Sequence, residues 1–192
     1  MRKSESIRQM QDLGLNTLDC LITDNLGMAL GYLYENAETK VSIRTERRDE
    51  FGCPFFFMVP GKELIEPAKR LLAAGYKLLL YPALDTAGCL AFGTVALPKD
   101  GSVIVEFVEG PGKVRELDNH PQKKSIILPT GKFQVVYEKD TPICHLINEI
   151  ITDVCNKCYN EGSVVVEWSY YGPLVGNRHH HAIYWELRPY EI

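Results

Sequence analysis

The second half of the chain contains a series of short segments with the composition of β-strands. They are rich in valine, isoleucine, phenylalanine and tyrosine, and turns at residues 85–88 and 99–101 separate the first three. Closely spaced strands joined by tight turns are typical of antiparallel sheets, because a tight turn reverses the chain. The segments are residues 77–84, 89–97, 102–109, 163–170 and 181–187. The last two predict a hairpin around a loop of ten residues.

Amphipathic segments with apolar residues three or four positions apart predict the helices. Glycines mark the C-terminal ends of three of them, at positions 14, 75 and 162. The predicted helices are residues 4–13, 24–37 (capped by Asp24 or Asn25), 63–76 and 141–160. Further strands are predicted at 18–23, 40–45, 55–59 and 133–138, with a long connection over 113–131. We therefore expect an α+β domain with mainly antiparallel sheets and flanking helices.

Length and charge exclude several classes of protein. The 192 residues suit one domain, or one domain with two lobes. A net charge of −4 argues against nucleic acid as the main partner, and no apolar run approaches the ~20 residues that cross a bilayer. The first fifteen residues lack the apolar stretch of a signal peptide, so we expect a cytoplasmic protein whose six cysteines are reduced.

The predicted last hairpin carries two carboxylates inside apolar strand sequence. Glu167 lies in one strand and Glu186 in the other, with Arg188 two residues further on the same face. A carboxylate among apolar neighbours is costly to bury without a partner such as a metal ion or an arginine. Two carboxylates and a cation can hold Mg²⁺ and the phosphate oxygens of a nucleotide. The alternative is that both glutamates point outward from an edge hairpin.

A charged loop follows the strand at 40–45. Arg44, Arg47 and Arg48 offer forked cations suited to phosphate, and the backbone at Phe51 and Gly52 could approach an anion. A charged loop that is simply solvated would have the same composition.

A pair of cysteines and a run of histidines are weaker candidates for a metal site. Cys155 and Cys158 have zinc-ligand spacing but no second pair, and a buried helix face explains them equally. The histidine run from His179 to His181 could bind a metal, although three consecutive side chains cannot converge on one ion. Residues 110–113 lack the spacing of a Walker loop and predict a strand-ending turn.

The order of these motifs resembles the nucleotide-binding domain of phosphoenolpyruvate synthase and pyruvate phosphate dikinase, which is an ATP-grasp domain. Residues 3–15 and 20–23 resemble the opening pattern of that family. Its VRSS strand resembles residues 42–45, and its hinge strand resembles residues 78–85. Its IEW and LQARP motifs resemble residues 166–168 and 185–189. The resemblance covers nearly the whole chain and implies an ATP-grasp-like fold of two lobes: a phosphate-binding lobe at 1–81, and a lobe with the Mg²⁺-binding hairpin at 82–192.

The resemblance also implies roles for individual residues. Lys3 and Arg44 would contact nucleotide phosphates, and Arg188 would assist at the phosphate being transferred. Arg44 and Arg188 are thus the expected catalytic residues. Tyr81 and Ala83 would line the adenine pocket, while Glu167 and Glu186 would bind Mg²⁺.

Three departures from the family affect the expected function. Glu186 stands where the family has glutamine, and Cys53 and Pro54 replace Gly-Gln in the phosphate loop, where proline removes an amide donor. No phosphohistidine domain and no phosphoenolpyruvate-binding barrel are recognisable.

The sequence supports three hypotheses. The first is an ATP- and Mg²⁺-dependent phosphotransferase or ligase-like domain whose acceptor is a histidine of a separate protein, a small molecule or water. The second is a degenerate ATP-grasp module with a regulatory or interaction role. The third is an anion- or metal-binding domain that uses the histidine loop. A homo-oligomer is compatible with each.

Overall fold

The structure is a computed structural model, and it describes residues 2–47, 53–84, 86–112, 114–131, 142–172 and 181–190. The predicted strand at 133–138, residues 48–52 and the hairpin loop at 173–180 lie outside the described residues. The side chain of His181 also lies outside them.

The chain forms two compact units. The four-stranded unit comprises Arg2–Ser4 and Leu18–Leu84, and the five-stranded unit comprises Glu5–Thr17 and Asp85–Ile192. Helix α1 (Lys3–Asp12) begins with residues of the first and continues with residues of the second. The lobes expected at 1–81 and 82–192 stay a prediction about the organisation of the chain.

The four-stranded unit is an antiparallel sheet with two helices. Its strands are β1 (Leu21–Thr23), β2 (Lys40–Glu46), β3 (Phe55–Pro60) and β4 (Lys77–Pro82), in the order β1-β4-β2-β3. Its helices are α2 (Leu26–Glu35) and α3 (Ile65–Ala73), the second preceded by a 3₁₀ turn at Gly61–Leu64. The side chain of Asn25 caps α2 by accepting a hydrogen bond from the Met28 amide at 3.0 Å.

One face of this sheet packs on the helices and forms the core of the unit. Alternate residues of β2 and β4 point into it, together with leucines and alanines of α2 and α3. The core residues are Ala29, Leu33, Val41, Ile43, Leu64, Ala68, Leu71, Leu78 and Leu80. The intervening residues of the same strands therefore point to the opposite face.

The five-stranded unit is a second antiparallel sheet. Its described strands are β5 (Cys89–Leu97), β6 (Val103–Glu109), β7 (Lys124–Leu128), β8 (Val164–Tyr171) and β9 (His181–Pro189), in the order β7-β6-β5-β8-β9. Helix α4 (Pro142–Cys158) belongs to this unit. The predicted hairpin of β8 and β9 is confirmed.

The long connection predicted at 113–131 is wrong in part, because it contains β7. This strand is short, and among the described strands it pairs only with β6. Of its five residues only Leu128 is buried, so it lacks the apolar alternation that identifies a strand in sequence.

The cysteines behave as small buried hydrophobes. All six lie among the described residues and are free thiols, and four of them are buried. Burial raises the pKa of Cys155 to about 11, and burial as the main cause raises that of Cys158 to about 12. None of the described helices is long and apolar enough to span a bilayer.

Gly93 of β5 is required by close approach of the neighbouring strand. A Cβ atom there would overlap the carbonyl oxygen of Glu106 and lie 2.8 Å from the Cβ of Phe107. We expect Gly93→Ala to lower the free energy of unfolding by about 1–3 kcal/mol or more, measured by urea denaturation.

The matched control is Gly31→Ala in α2, where a Cβ atom meets nothing within 4 Å. It should stabilise the protein by about 0.5–1 kcal/mol, because alanine loses less backbone entropy in a helix. A Gly93→Ala variant as stable as Gly31→Ala would contradict the packing described for β5 and β6.

Candidate functional site

A row of polar residues crosses the five-stranded sheet from edge to edge. Direct cross-strand pairs join Ser125 to Glu106, Glu106 to Thr94, Thr94 to Glu167, and Glu167 to Glu186. Directly paired residues in an antiparallel sheet point to the same face. The row therefore places three carboxylates and two hydroxyls along one line on one face of the sheet.

This face is the one opposite α4. The hydroxyl of Tyr170 contacts the carboxylate of Glu149 in α4 at 3.3 Å, so the even-numbered residues of β8 face that helix. Because side chains alternate along a strand, Glu167 points away from α4. Glu167 is half-buried, whereas Val166 and Trp168 on the α4 side are fully buried.

A β-bulge in the hairpin sets Glu186 opposite Glu167. Val166 pairs with Leu187 and Trp168 pairs with Tyr184, so β9 has one residue more than β8 in this interval. The pairing of Glu167 with Glu186 leaves Trp185 as the additional residue. The indole nitrogen of Trp185 donates a hydrogen bond to the hydroxyl of Ser169 at 2.9 Å, which holds the bulged residue on the face of Glu167.

The carboxylate pair suits a hard divalent cation. Mg²⁺ binds through one or two carboxylates and completes its octahedron with water and phosphate oxygens, so it does not need a full protein cage. Among the described residues no group of three or more His, Cys, Asp or Glu could hold a metal ion, and the pair Glu167 and Glu186 matches the smaller Mg²⁺ requirement. Glu186 is half-buried, and Arg188, two residues on, is exposed.

The other end of the polar row is an ion pair. Lys123 Nζ lies 3.1 Å from the carboxylate of Glu106, and the hydroxyl of Ser125 donates to the same oxygen at 3.2 Å. Both charged side chains are about two-thirds buried, with 27% and 32% of their surface exposed. These two residues could not be predicted from the sequence, because a lysine and a glutamate 17 positions apart give no local signal.

In the four-stranded unit, Arg44 is held by Tyr81. Arg44 Nε donates a hydrogen bond to the Tyr81 hydroxyl at 3.0 Å. Tyr81 is buried and Arg44 is exposed. The amide of Ala83 donates to the carbonyl of Lys40 at 3.0 Å, so that amide cannot also donate to an adenine ring while the bond is made.

Lys3 begins helix α1 and is half-buried. The next residue, Ser4, donates from both its amide and its hydroxyl to the carboxylate of Glu46, each at 2.9 Å. An anionic side chain of the chain itself thus lies at the amino-terminal end of α1. Sequence reasoning missed this contact, since the two residues are 42 positions apart.

The remaining candidates divide between the described residues and those outside them. The guanidinium of Arg47 lies over the ring of Tyr76, 5.5 Å from its centroid, whereas Arg48, Phe51 and Gly52 lie outside the described residues. His179, His180 and the side chain of His181 also lie outside. Cys155 and Cys158 are both buried in α4, and burial is the main cause that raises the pKa of both thiols.

Comparison with known proteins places this architecture. No known family profile matches the chain, and no curated protein sequence matches it. Solved structures do match. PH1788 from Pyrococcus horikoshii has a TM-score of 0.61 and 12% identity, and the match covers 99% of this chain and 92% of that one.

D-alanyl-alanine synthetase A from Vibrio cholerae has a TM-score of 0.54 and 12% identity, with 97% of this chain and 54% of that chain covered. The ATP-grasp ligase PsnB, in complex with a minimal precursor, has a TM-score of 0.51 and 13% identity over 97% and 50%. The chain has an ATP-grasp-like fold. The expected fold class is confirmed, and the chain spans about half the length of the two ligases. At these identities the similarity concerns the fold.

Ser6 of α1 anchors the strand that carries the candidate site. Its hydroxyl accepts a hydrogen bond from the amide of Leu187 at 2.7 Å, and both residues are buried. We expect Ser6→Ala to cost about 1–3 kcal/mol of unfolding free energy, because it removes the partner of a buried amide. Gln11→Ala, at an exposed position of the same helix, should change it by less than about 0.5 kcal/mol. Equal stabilities of the two variants in urea denaturation would show that the contact is dispensable.

Proposed function

We propose that the chain binds ATP with Mg²⁺ and transfers its γ-phosphoryl group to an acceptor, as a phosphotransferase or ligase. The observation that carries the proposal is the direct pairing of Glu167 with Glu186 across β8 and β9. Two carboxylates on one face of neighbouring strands are the oxygen ligands that Mg²⁺ takes, and water and phosphate oxygens complete its octahedron. The fold supports the same conclusion, because PsnB is an ATP-grasp ligase.

Each residue has a distinct role in this proposal. Glu167 and Glu186 would hold Mg²⁺, which supplies neutralisation of the charge on the nucleotide phosphates. Arg188 lies on the same face as Glu186 and is exposed, so it can reach a phosphate oxygen. Arg44 would bind a phosphate through its guanidinium, with Lys3 as a second cation.

In phosphoryl transfer these groups would stabilise charge and position the reactants. The bond from the γ-phosphorus to the β-phosphate oxygen breaks, a bond from the acceptor oxygen or nitrogen forms, and ADP leaves. Arg188 and Arg44 would stabilise the negative charge on the phosphoryl oxygens. This stabilisation is strongest when the hydrogen-bond donors are already held in position before the reaction. The acceptor would be a small molecule, or a side chain of a separate protein such as a phosphohistidine domain.

The finer assignment, to the nucleotide-binding domains of phosphoenolpyruvate synthase and pyruvate phosphate dikinase, rests on the sequence motifs. A phosphohistidine acceptor follows only from that assignment. The ligase alternative is supported by the similarity of the fold to the ATP-grasp ligase PsnB.

The second candidate function is a non-catalytic ATP-grasp module with an interaction role. One specific contact favours it. The carboxylate of Glu46 occupies the Ser4 amide beside Lys3, where the sequence resemblance expects nucleotide phosphate. Pro54 also offers no amide to a phosphate.

A thermal-shift titration with ATP, ADP, AMP and GTP, with and without Mg²⁺, tests the proposal. At a hundred times the dissociation constant, bound nucleotide should stabilise the protein by about 2.7 kcal/mol, a rise in Tm of a few degrees. Glu167→Gln and Glu186→Ala should remove the Mg²⁺-dependent part of the rise. Both should also abolish ADP release measured by a coupled assay.

The control is Glu109→Gln, a change of the same charge on β6 of the same sheet, where Glu109 pairs with Lys124. It should keep the full Mg²⁺-dependent rise. A wild-type protein that shows no rise with any nucleotide would refute the enzyme. Binding without ADP release would support the non-catalytic module, and a rise with Zn²⁺ or Ni²⁺ alone would support the histidine loop.

A further inference from the structure

Arg44 and Tyr81 are diagonal neighbours on the face of the four-stranded sheet opposite α2 and α3. Ser42 pairs directly with Tyr81, and Arg44 pairs with Leu79. Ile43 and Leu80 belong to the core on the helical side, so Arg44 and Tyr81 point to the other side. Diagonal neighbours in a sheet are within reach of long side chains.

The hydrogen bond between them joins a mobile group to a fixed one. Only 8% of Tyr81 is exposed, and its backbone is paired with Ser42 of β2 in a strand that also pairs with β1 at Leu78, Leu79 and Leu80. Arg44 has an exposed side chain with several rotatable bonds. The contact of 3.0 Å between Arg44 Nε and the Tyr81 hydroxyl therefore limits the rotamers of the arginine and not those of the tyrosine.

The hydrogen bond to Tyr81 changes neither the charge of the Arg44 guanidinium nor its two terminal nitrogens. Burial raises the pKa of Tyr81 despite the opposing effect of Arg44, so its hydroxyl is a neutral acceptor near pH 7. The bond uses Nε, and the two terminal nitrogens are the fork that can bind two oxygens of one phosphate. A carboxylate in the place of the phenol would compete with such a ligand.

The groups around Arg44 agree with this interpretation. Glu46, two residues along β2 on the same face, accepts hydrogen bonds from Ser4. Burial raises the pKa of the nearby Cys20 thiol to about 12, and Arg44 opposes this only in part, so the thiol is neutral at pH 7.

We propose that Tyr81 is a positioning residue, whose hydroxyl orients the guanidinium of Arg44 toward the phosphates of the nucleotide. This differs from the role implied by the sequence, which placed Tyr81 in the adenine pocket. The inference rests on the proposed function, since the phosphate ligand is part of that proposal. It makes the tyrosine hydroxyl matter for phosphate binding and not for recognition of the base.

Calorimetric titration of Tyr81→Phe with Mg²⁺-ATP, adenosine and inorganic tripolyphosphate tests the inference. The variant keeps the ring and removes the hydroxyl. We expect about tenfold weaker binding of Mg²⁺-ATP and of tripolyphosphate, equivalent to about 1.4 kcal/mol, and adenosine affinity within about twofold of wild type. Tyr34→Phe, at an exposed tyrosine of α2, should change none of these affinities.

A double-mutant cycle separates positioning from a direct contact. If Tyr81 acts through Arg44, Tyr81→Phe should change ATP affinity by less than about twofold in an Arg44→Lys background, because lysine has no Nε–H fork to orient. The Tm values of the four proteins without ligand show that each is folded.

Three outcomes would overturn the inference. Equal losses for adenosine and ATP would assign the hydroxyl to the base. Independent, additive effects of the two substitutions would make it a separate contact. Wild-type affinity in Tyr81→Phe, while Glu167→Gln still loses Mg²⁺ dependence, would remove the inference and keep the proposed function. Binding of tripolyphosphate but not of ATP, with the expected dependence on Tyr81 and Arg44, would support the positioning role and contradict the proposed nucleotide ligand.

Discussion

The antiparallel register between β8 and β9 is the constraint on which the candidate metal site depends. Above the bulge, Trp168 pairs with Tyr184, and below it Val166 pairs with Leu187. All four residues are buried on the α4 side, so the hydrophobic core fixes both halves of the hairpin. If the upper register continued without a bulge, Val166 would face Glu186 and the carboxylate would enter the core. Because of the bulge, Leu187 and not Glu186 lies in the core. The carboxylate of Glu186 lies opposite Glu167 instead.

The same sheet shows how polar groups are tolerated in a mostly apolar layer. The row from Ser125 to Glu186 lies on the face away from α4, where its inner members are half-buried. Burying a carboxylate is expensive unless partners compensate, and Glu106 has Lys123 and Ser125 as partners. Gly93 lies beside Thr94 in β5 and allows the backbone of β6 to approach closely. The polar row therefore crosses β5 and β6 beside the close approach of these two strands at Gly93.

The sequence predicted the helices and most strands because their signals are local. Glycines with positive φ follow α1, α3 and α4, at Gly14, Gly75 and Gly162, and these ended the predicted helices correctly. Glu167 and Glu186 were predicted to face a common point, because each is a glutamate inside an apolar strand of one predicted hairpin. The bulge could have been inferred from Tyr184 and Leu187, which are three residues apart and both apolar. Alternation alone cannot place both in one core.

Contacts between distant parts of the chain could not be predicted in this way. The anchoring of Leu187 by Ser6 joins residues 181 positions apart, and the bond between Arg44 and Tyr81 depends on the pairing of two strands that are not consecutive. A serine in a helix and a tyrosine in a strand are ordinary in sequence. Their roles arise only when the sheet order β1-β4-β2-β3 and the position of α1 are known.

The charge of the carboxylate pair bears on the ion that the proposed site could hold. A glutamine at position 186, as in the family that the sequence resembles, would keep an oxygen ligand without a charge. The chain has a second carboxylate there, directly opposite Glu167. Two carboxylates neutralise a divalent ion completely, whereas one carboxylate and one amide leave a positive charge. The proposed Mg²⁺ site therefore has the ligand charge that matches a divalent ion, whereas Pro54 and Glu46 weaken the phosphate contacts proposed for it.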